Sequence, residues 1–81
     1  MTTSPYPPQY VVYRDPYDLP EYRFVVRLWE GKGETYEPGP IWGVAVDDRG
    51  LGVLRHDLAQ LGLYCLGRFE EDDPAILEVW L

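Results

Sequence analysis

Few side chains in this chain of 81 residues have the type and spacing that chemistry could use. His56 and Asp57 set an imidazole beside a carboxylate, the raw material of an acid–base pair. On a helix, however, consecutive side chains point about 100° apart, so these two would not meet. His56 is the sole histidine, which removes the second imidazole of a histidine-based metal site; a solvated surface role fits it better. Cys65, the sole cysteine, could act as a nucleophile only if His56 reached it from the preceding helix. A small core residue on a strand is the plainer reading of it. A single cysteine also excludes an internal disulfide and a cysteine-rich zinc site, and it suits a reducing compartment. The run Glu70-Glu71-Asp72-Asp73 offers oxygen ligands for calcium or magnesium, but contiguously rather than in alternation and with no glycine inside. It reads as a solvated acidic turn. Gly31-Lys32-Gly33 is too short for a phosphate loop and lacks the following Ser or Thr and helix. No cofactor and no enzymatic activity are expected.

Charge carries more. Fourteen acidic residues against seven basic ones give a formal charge of −7, which disfavours direct nucleic-acid binding because that interaction sets cations against phosphates. The carboxylates concentrate in Glu30 to Glu37, Asp47-Asp48, Asp57 and Glu70 to Asp73. If those segments converge, they form a negative surface that could occupy a basic nucleic-acid-binding groove on another protein. Solubility alone is the plainer account of the same charge. With 46% hydrophobic and 15% aromatic residues the chain should fold, and at this length as one domain. Residues 1–9 read as a flexible proline-rich lead-in and 10–81 as the domain. No apolar run reaches 18 residues, and Met1 to Gln9 lacks the basic start and apolar middle of a secretion signal. A soluble, cytoplasmic protein is expected.

The elements that must position these groups follow from residue pattern. Tyr10-Val11-Val12-Tyr13 is a first strand, broken by the turn-rich Asp15 to Pro20 (DPYDLP). Tyr22 to Trp29 is a second, with Phe24, Val26 and Leu28 on one face and Arg23, Val25, Arg27 and Trp29 on the other. Glu30 to Pro40 holds three glycines and two prolines and reads as an exposed loop or hairpin tip. Ile41 to Val46, almost wholly apolar, reads as a central strand, with Trp42, Val44 and Val46 opposite Ile41, Gly43 and Ala45. Asp47-Asp48 opens a helix striped by Leu51, Leu54, Leu58 and Leu61 and stopped by Gly62. Gly50 and Gly52 each weaken its first turn by about 1 kcal/mol, which predicts a late start. Leu63 to Leu66 is a short fourth strand. The closing strand Ala75 to Leu81 sets Leu77, Val79 and Leu81 opposite Ile76, Glu78 and Trp80, and it should be paired within the sheet. The predicted fold is α+β: a mainly antiparallel sheet of four to five strands with one helix on one face, in the order β-β-β-α-β-β.

One helix covers one face. The other should present Trp29, Trp80, Ile76 and Val25 with Arg23 and Arg27 nearby and Glu78 paired to one of them, a set rich in the residue types of interface hot spots. The opposing reading is that the N-terminal segment, with Tyr6, Tyr10 and the prolines, folds over that face as a lid. The expected partner-binding residues are Glu70, Glu71, Asp72, Asp73, Trp29, Trp80, Arg23 and Arg27, with Asp15 and Asp18 of the DPYDLP loop.

Two segments together resemble small uncharacterised bacterial and phage proteins. Tyr10 to Trp29 (YVVYRDPYDLPEYRFVVRLW) is similar to their opening. Leu63 to Trp80, through Asp72-Asp73-Pro74 and Glu78-Val79-Trp80, is similar to their closing strand, acidic turn and E-x-W strand. That resemblance brings no assigned activity. Where those proteins usually have an unbroken helix, this chain has Gly50 and Gly52. In size, acidity and lack of catalytic motifs the chain is also similar in type to anti-CRISPR proteins, which act by binding and often as nucleic-acid mimics. The resemblance implies an inhibitor that binds a CRISPR effector or another nucleic-acid-binding complex of bacterial defence. The alternative is a homodimeric accessory module pairing through its open sheet face or C-terminal strand. No membrane partner is expected.

Overall fold

The computed structural model of the chain describes residues 7–32, 35–67 and 74–81. Its elements are β1 (Gln9–Arg14), β2 (Phe24–Lys32), β3 (Thr35–Ala45), α1 (Asp48–Gln60), β4 (Cys65–Gly67) and β5 (Ile76–Trp80). They form one five-stranded sheet in the order β3-β2-β1-β5-β4, with every neighbouring pair antiparallel. The fold is thus the expected α+β sheet with one helix. β5 lies inside the sheet, flanked by β1 and β4, so the apolar closing strand has both backbone edges engaged.

Of the two readings of Glu30 to Pro40, loop or hairpin tip, the second holds: β2 and β3 pair on through Glu30↔Glu37, Gly31↔Tyr36 and Lys32↔Thr35, the outer part of a long hairpin. One expectation about strands needs correction. β3 is an edge strand, not a central one. Pro38 and Pro40 cannot donate to a ladder, and only an edge strand can hold them without orphaning a neighbour's carbonyl. Its apolar residues led to the central placement. Ile41 and Val44, away from the helix, are in fact about 40% exposed (41% and 40%).

The helix packs across one face. Leu51, Leu54 and Leu58 meet Val12, Phe24, Val26, Ala45 and Trp80 in a single core, with Tyr10, Trp42, Leu63 and Leu77 against its margin. Tyr10 and Trp42 meet edge to face, ring centroids 5.7 Å apart. Asp47 is the N-cap, its Oδ1 accepting from the Gly50 N–H at 2.9 Å. The helix runs from Asp48 without the delay that two glycines predicted. Gly50 is needed where it is, since a Cβ there would lie 2.6 Å from the Ala45 Cβ; at Gly43 of β3 a Cβ would lie 2.7 Å from the Leu54 Cδ2. Small residues on both elements let helix and sheet close together. The chain leaves α1 at Leu61, whose N–H bonds to Leu58, and Gly62 takes the left-handed φ of 81° that ends the helix. Leu61 itself, expected in the core stripe, is past the last turn and exposed.

Candidate binding groove

Strand parity decides which residues share the face away from the helix, and register slips alter that parity at four places among the described residues, two of which move predicted residues across the sheet. Between Val12↔Glu78 and Tyr13↔Ile76 the register of β1 and β5 slips by one residue at Leu77. Glu78 and Trp80 therefore face the helix while Ile76 does not. A second slip, between Val26↔Gly43 and Arg27↔Ile41, turns Trp42 toward the helix-side core.

Trp80 and Glu78, expected on the open face, are thus interior, 8% and 7% exposed. Glu78 is held there by three donors: Arg55 Nε at 2.9 Å, Arg55 Nη2 at 3.0 Å and Trp80 Nε1 at 3.1 Å. A buried carboxylate with a bidentate guanidinium and an indole N–H has its lone pairs satisfied, so the charge is tolerated. Donating to the Glu78 carboxylate pushes the Arg55 pKa above its ordinary value, against a smaller opposing effect of burial. Tyr10, proposed as part of a lid on the other side, also lies under the helix.

The opposite face carries Val11, Tyr13, Val25, Arg27, Trp29 and Val79 by the same register. It is less bare than expected. Val11, Val25 and Val79 are all buried, so the accessible parts are the end formed by Tyr13, Arg27 and Trp29 and, on the edge strand, Ile41 and Val44.

The DPYDLP segment shapes that end. Asp15 adopts φ 47°, a left-handed conformation that aspartate tolerates better than most residues, and this turns the chain out of β1. The excursion is closed at its neck by the Asp15 N–H on the Arg23 carbonyl, 2.7 Å. Two turns inside it, Leu19 N–H to Pro16 O at 3.2 Å and Tyr22 N–H to Leu19 O at 3.1 Å, hold its shape. Pro16 is buried and Leu19 half-buried, whereas Tyr17 is wholly exposed. Between this loop and the sheet lies a groove of about 500 Å³. Tyr13, Val25, Arg27 and Trp29 form its floor, Pro16 to Leu19 one wall, and Pro38 and Ala75 its ends. The Trp29 indole donates to the Tyr13 hydroxyl at 2.9 Å, and Arg27 Nη1 donates to the Gly39 carbonyl at 2.8 Å. Both bonds fix side chains that would otherwise be loose on a sheet surface. Comparison with protein-family models, with curated proteins and with solved structures finds no match. The groove has to be read from its own chemistry.

Of the residues expected to bind a partner, the structure brings together Trp29, Arg27 and Asp18. Arg23 is turned elsewhere, 3.1 Å from Asp48 and over the Phe24 ring at 5.8 Å. Asp15 forms the neck of the loop instead of its rim. Glu70, Glu71, Asp72 and Asp73 lie outside the described residues. The sequence pointed to the Asp15–Pro20 loop as an anchor without singling out Tyr17 within it, and it missed Tyr13 and Pro38 as part of the same surface. The alternation of Tyr13 with Arg27 and Trp29 across paired strands was the available signal for Tyr13; none pointed to Tyr17. His56 and Cys65 are both exposed, on α1 and β4, with no hydrogen bond between them among the described residues. Among those residues no group of three or more His, Cys, Asp or Glu side chains is placed to hold a metal ion. Nor is any helix among them long and apolar enough to cross a membrane.

Proposed function

We propose that this is a non-enzymatic, acidic protein that works by occupying a surface on a larger protein partner, docking through the groove face. The observation that carries this reading is the groove itself: Trp29 and Tyr13 pinned by their mutual hydrogen bond beside a wholly exposed Tyr17. Aromatic side chains held rigid in a concave site lose little freedom when a partner covers them, which is what makes such residues binding hot spots. The charge of −7 gives the partner surface a sign: basic. In its specific form the proposal is an inhibitor of the anti-CRISPR type, covering a basic nucleic-acid-recognition surface of a bacterial defence complex.

The test is affinity capture from nuclease-treated bacterial lysate with the wild type, Tyr17→Ala and Trp29→Ala side by side. Retention of a nucleic-acid-binding protein by the wild type and its loss with both variants supports the reading. Equal retention by all three removes the groove from the account. A homodimeric module is the second reading, favoured by the exposure of Ile41 and Val44 on β3, which extends the same face to the sheet edge. Light scattering separates the two: a dimer that Val44→Lys returns to monomer supports self-association. The other half of that alternative, pairing through the C-terminal strand, meets a strand whose two edges are already taken.

A further inference from the structure

We infer that the groove takes an extended, proline-containing, cationic peptide segment of the partner, an inference that rests on the docking reading above and names its chemistry. Three features of the groove ask for different parts of one ligand. Its aromatic side chains, Tyr13, Tyr17 and Trp29, line it together with Pro16 and Pro38, and aromatic faces are the surfaces on which pyrrolidine rings pack. Its floor holds a guanidinium donor, Arg27, half-buried and bonded on one side to the Gly39 carbonyl. A polyproline-type backbone makes no internal hydrogen bonds and presents its carbonyls to any donor alongside, so this donor meets a need of such a ligand. Of the loop that walls it, Asp18 lines the groove, while Asp15 and Glu21 stand at the loop's two ends, outside the lining. Asp18 on the wall, in a protein of charge −7, favours lysine or arginine beside the prolines on the side away from Arg27.

The same face already binds a main-chain carbonyl in this manner. Tyr36, on the side of β3 that Pro38 also faces, donates its hydroxyl to the carbonyl of Pro7 at 2.9 Å. An aromatic hydroxyl capturing a proline carbonyl at one end of the face is the interaction that the groove would repeat with a foreign chain. Preformed polyproline segments lose little entropy on binding, so a groove of this modest size suffices for them.

Isothermal titration calorimetry of the full chain tests this with three synthetic peptides: repeated Pro-Pro-Arg triplets, the same with glutamate for arginine, and Gly-Ser-Arg triplets of equal length. Saturable binding of the first is expected, with each of the others about tenfold or more weaker. Tyr17→Ala, at a side chain with no packing to lose, should weaken the first peptide by about tenfold. Failure of Pro-Pro-Arg to bind overturns the inference. So does equal binding of Gly-Ser-Arg, which would reduce the effect to bulk charge, and so does indifference to Tyr17→Ala. If the peptides fail while capture from lysate still depends on Tyr17, only the ligand chemistry is wrong; if both fail, the docking reading falls with it.

Discussion

Glu78 shows how a single side chain can be misplaced by parity and explained by chemistry. Counting alternate residues back from the C-terminus put it with Trp80 on the open face. The bulge at Leu77 puts Ile76 there, and Glu78 and Trp80 go beneath the helix. No count of alternation contains a bulge, because the bulge depends on the partner strand. The composition nonetheless held a clue: Arg55 lies off the leucine stripe of α1, and a buried carboxylate needs a cation in reach. Glu78→Ala leaves the Trp80 indole N–H without its acceptor and Arg55 without its partner. The expected loss is about 2 kcal/mol, measured by urea denaturation. Arg55→Met should cost less than a fully buried pair would, because the Arg55 side chain is 46% exposed and solvent screens it. The pH dependence has a definite sign. A guanidinium pKa raised above its ordinary value stabilises the fold throughout the range in which the free group is charged, and that contribution is lost only in strong alkali. Arg55 therefore contributes no slope to stability between about pH 5 and 10, and a titration of stability there should show none from this group.

At the level of elements, the helix and its seat on β3 test how sequence propensity and packing compete. Gly50 and Gly52 look alike in the sequence, two residues of poor helix propensity in the first turns. The structure separates them: a methyl group at Gly50 strikes Ala45, while at Gly52 it meets nothing within 4 Å. Gly52→Ala is expected to stabilise by up to about 1 kcal/mol, a rise in Tm of roughly 4–8 °C. Gly50→Ala should lower Tm despite the same gain in propensity, because either helix or strand must move. Asp47→Ala removes the cap on Gly50 and should cost about 1 kcal/mol by thermal or urea unfolding. The elements most legible in the sequence were those with local signals: the helix cap and glycine stop, the leucine stripe over its first three positions, and β5. The strands of the β2–β3 hairpin were legible only in its inner half, the outer half reading as a loop or hairpin tip. Its outer half is built of glycine, proline and glutamate, residues that read as loop, and it is a strand pair because the ladder started inside the core continues outward. The edge position of β3 was written in Pro38 and Pro40, which the apolar run beside them outweighed.

For the molecule as a whole, the fold follows from a small chain burying one helix against one sheet face, and function has to come from what is left. What is left is smaller than the whole second face, since Val11, Val25 and Val79 are buried there too. It is the groove end, with Ile41 and Val44 at the sheet edge, and the groove was only partly legible. Trp29 and Arg27 came from strand alternation and Asp18 from the loop's turn chemistry. Tyr17 could not be foreseen, because its exposure depends on the Asp15–Arg23 closure that folds Pro16 and Leu19 inward. Long-range attraction belongs to this scale as well. Replacing Glu70, Glu71, Asp72 and Asp73 by lysine changes the formal charge by eight units, from −7 to +1. Association with a basic partner should slow strongly at low salt and converge with the wild type at high salt, followed by stopped-flow fluorescence. An unchanged on-rate removes charge steering from the account.

The most direct test of the central claim, that the groove face docks a partner and the helix face does not, is site-specific photocrosslinking. A benzoylphenylalanine is placed at Tyr17 in one variant and at Val53, exposed on the outer side of α1, in another. Both are irradiated in nuclease-treated bacterial lysate. Adducts of one defined mass from position 17, and none from position 53, are the predicted result; adducts from position 53 alone would contradict it.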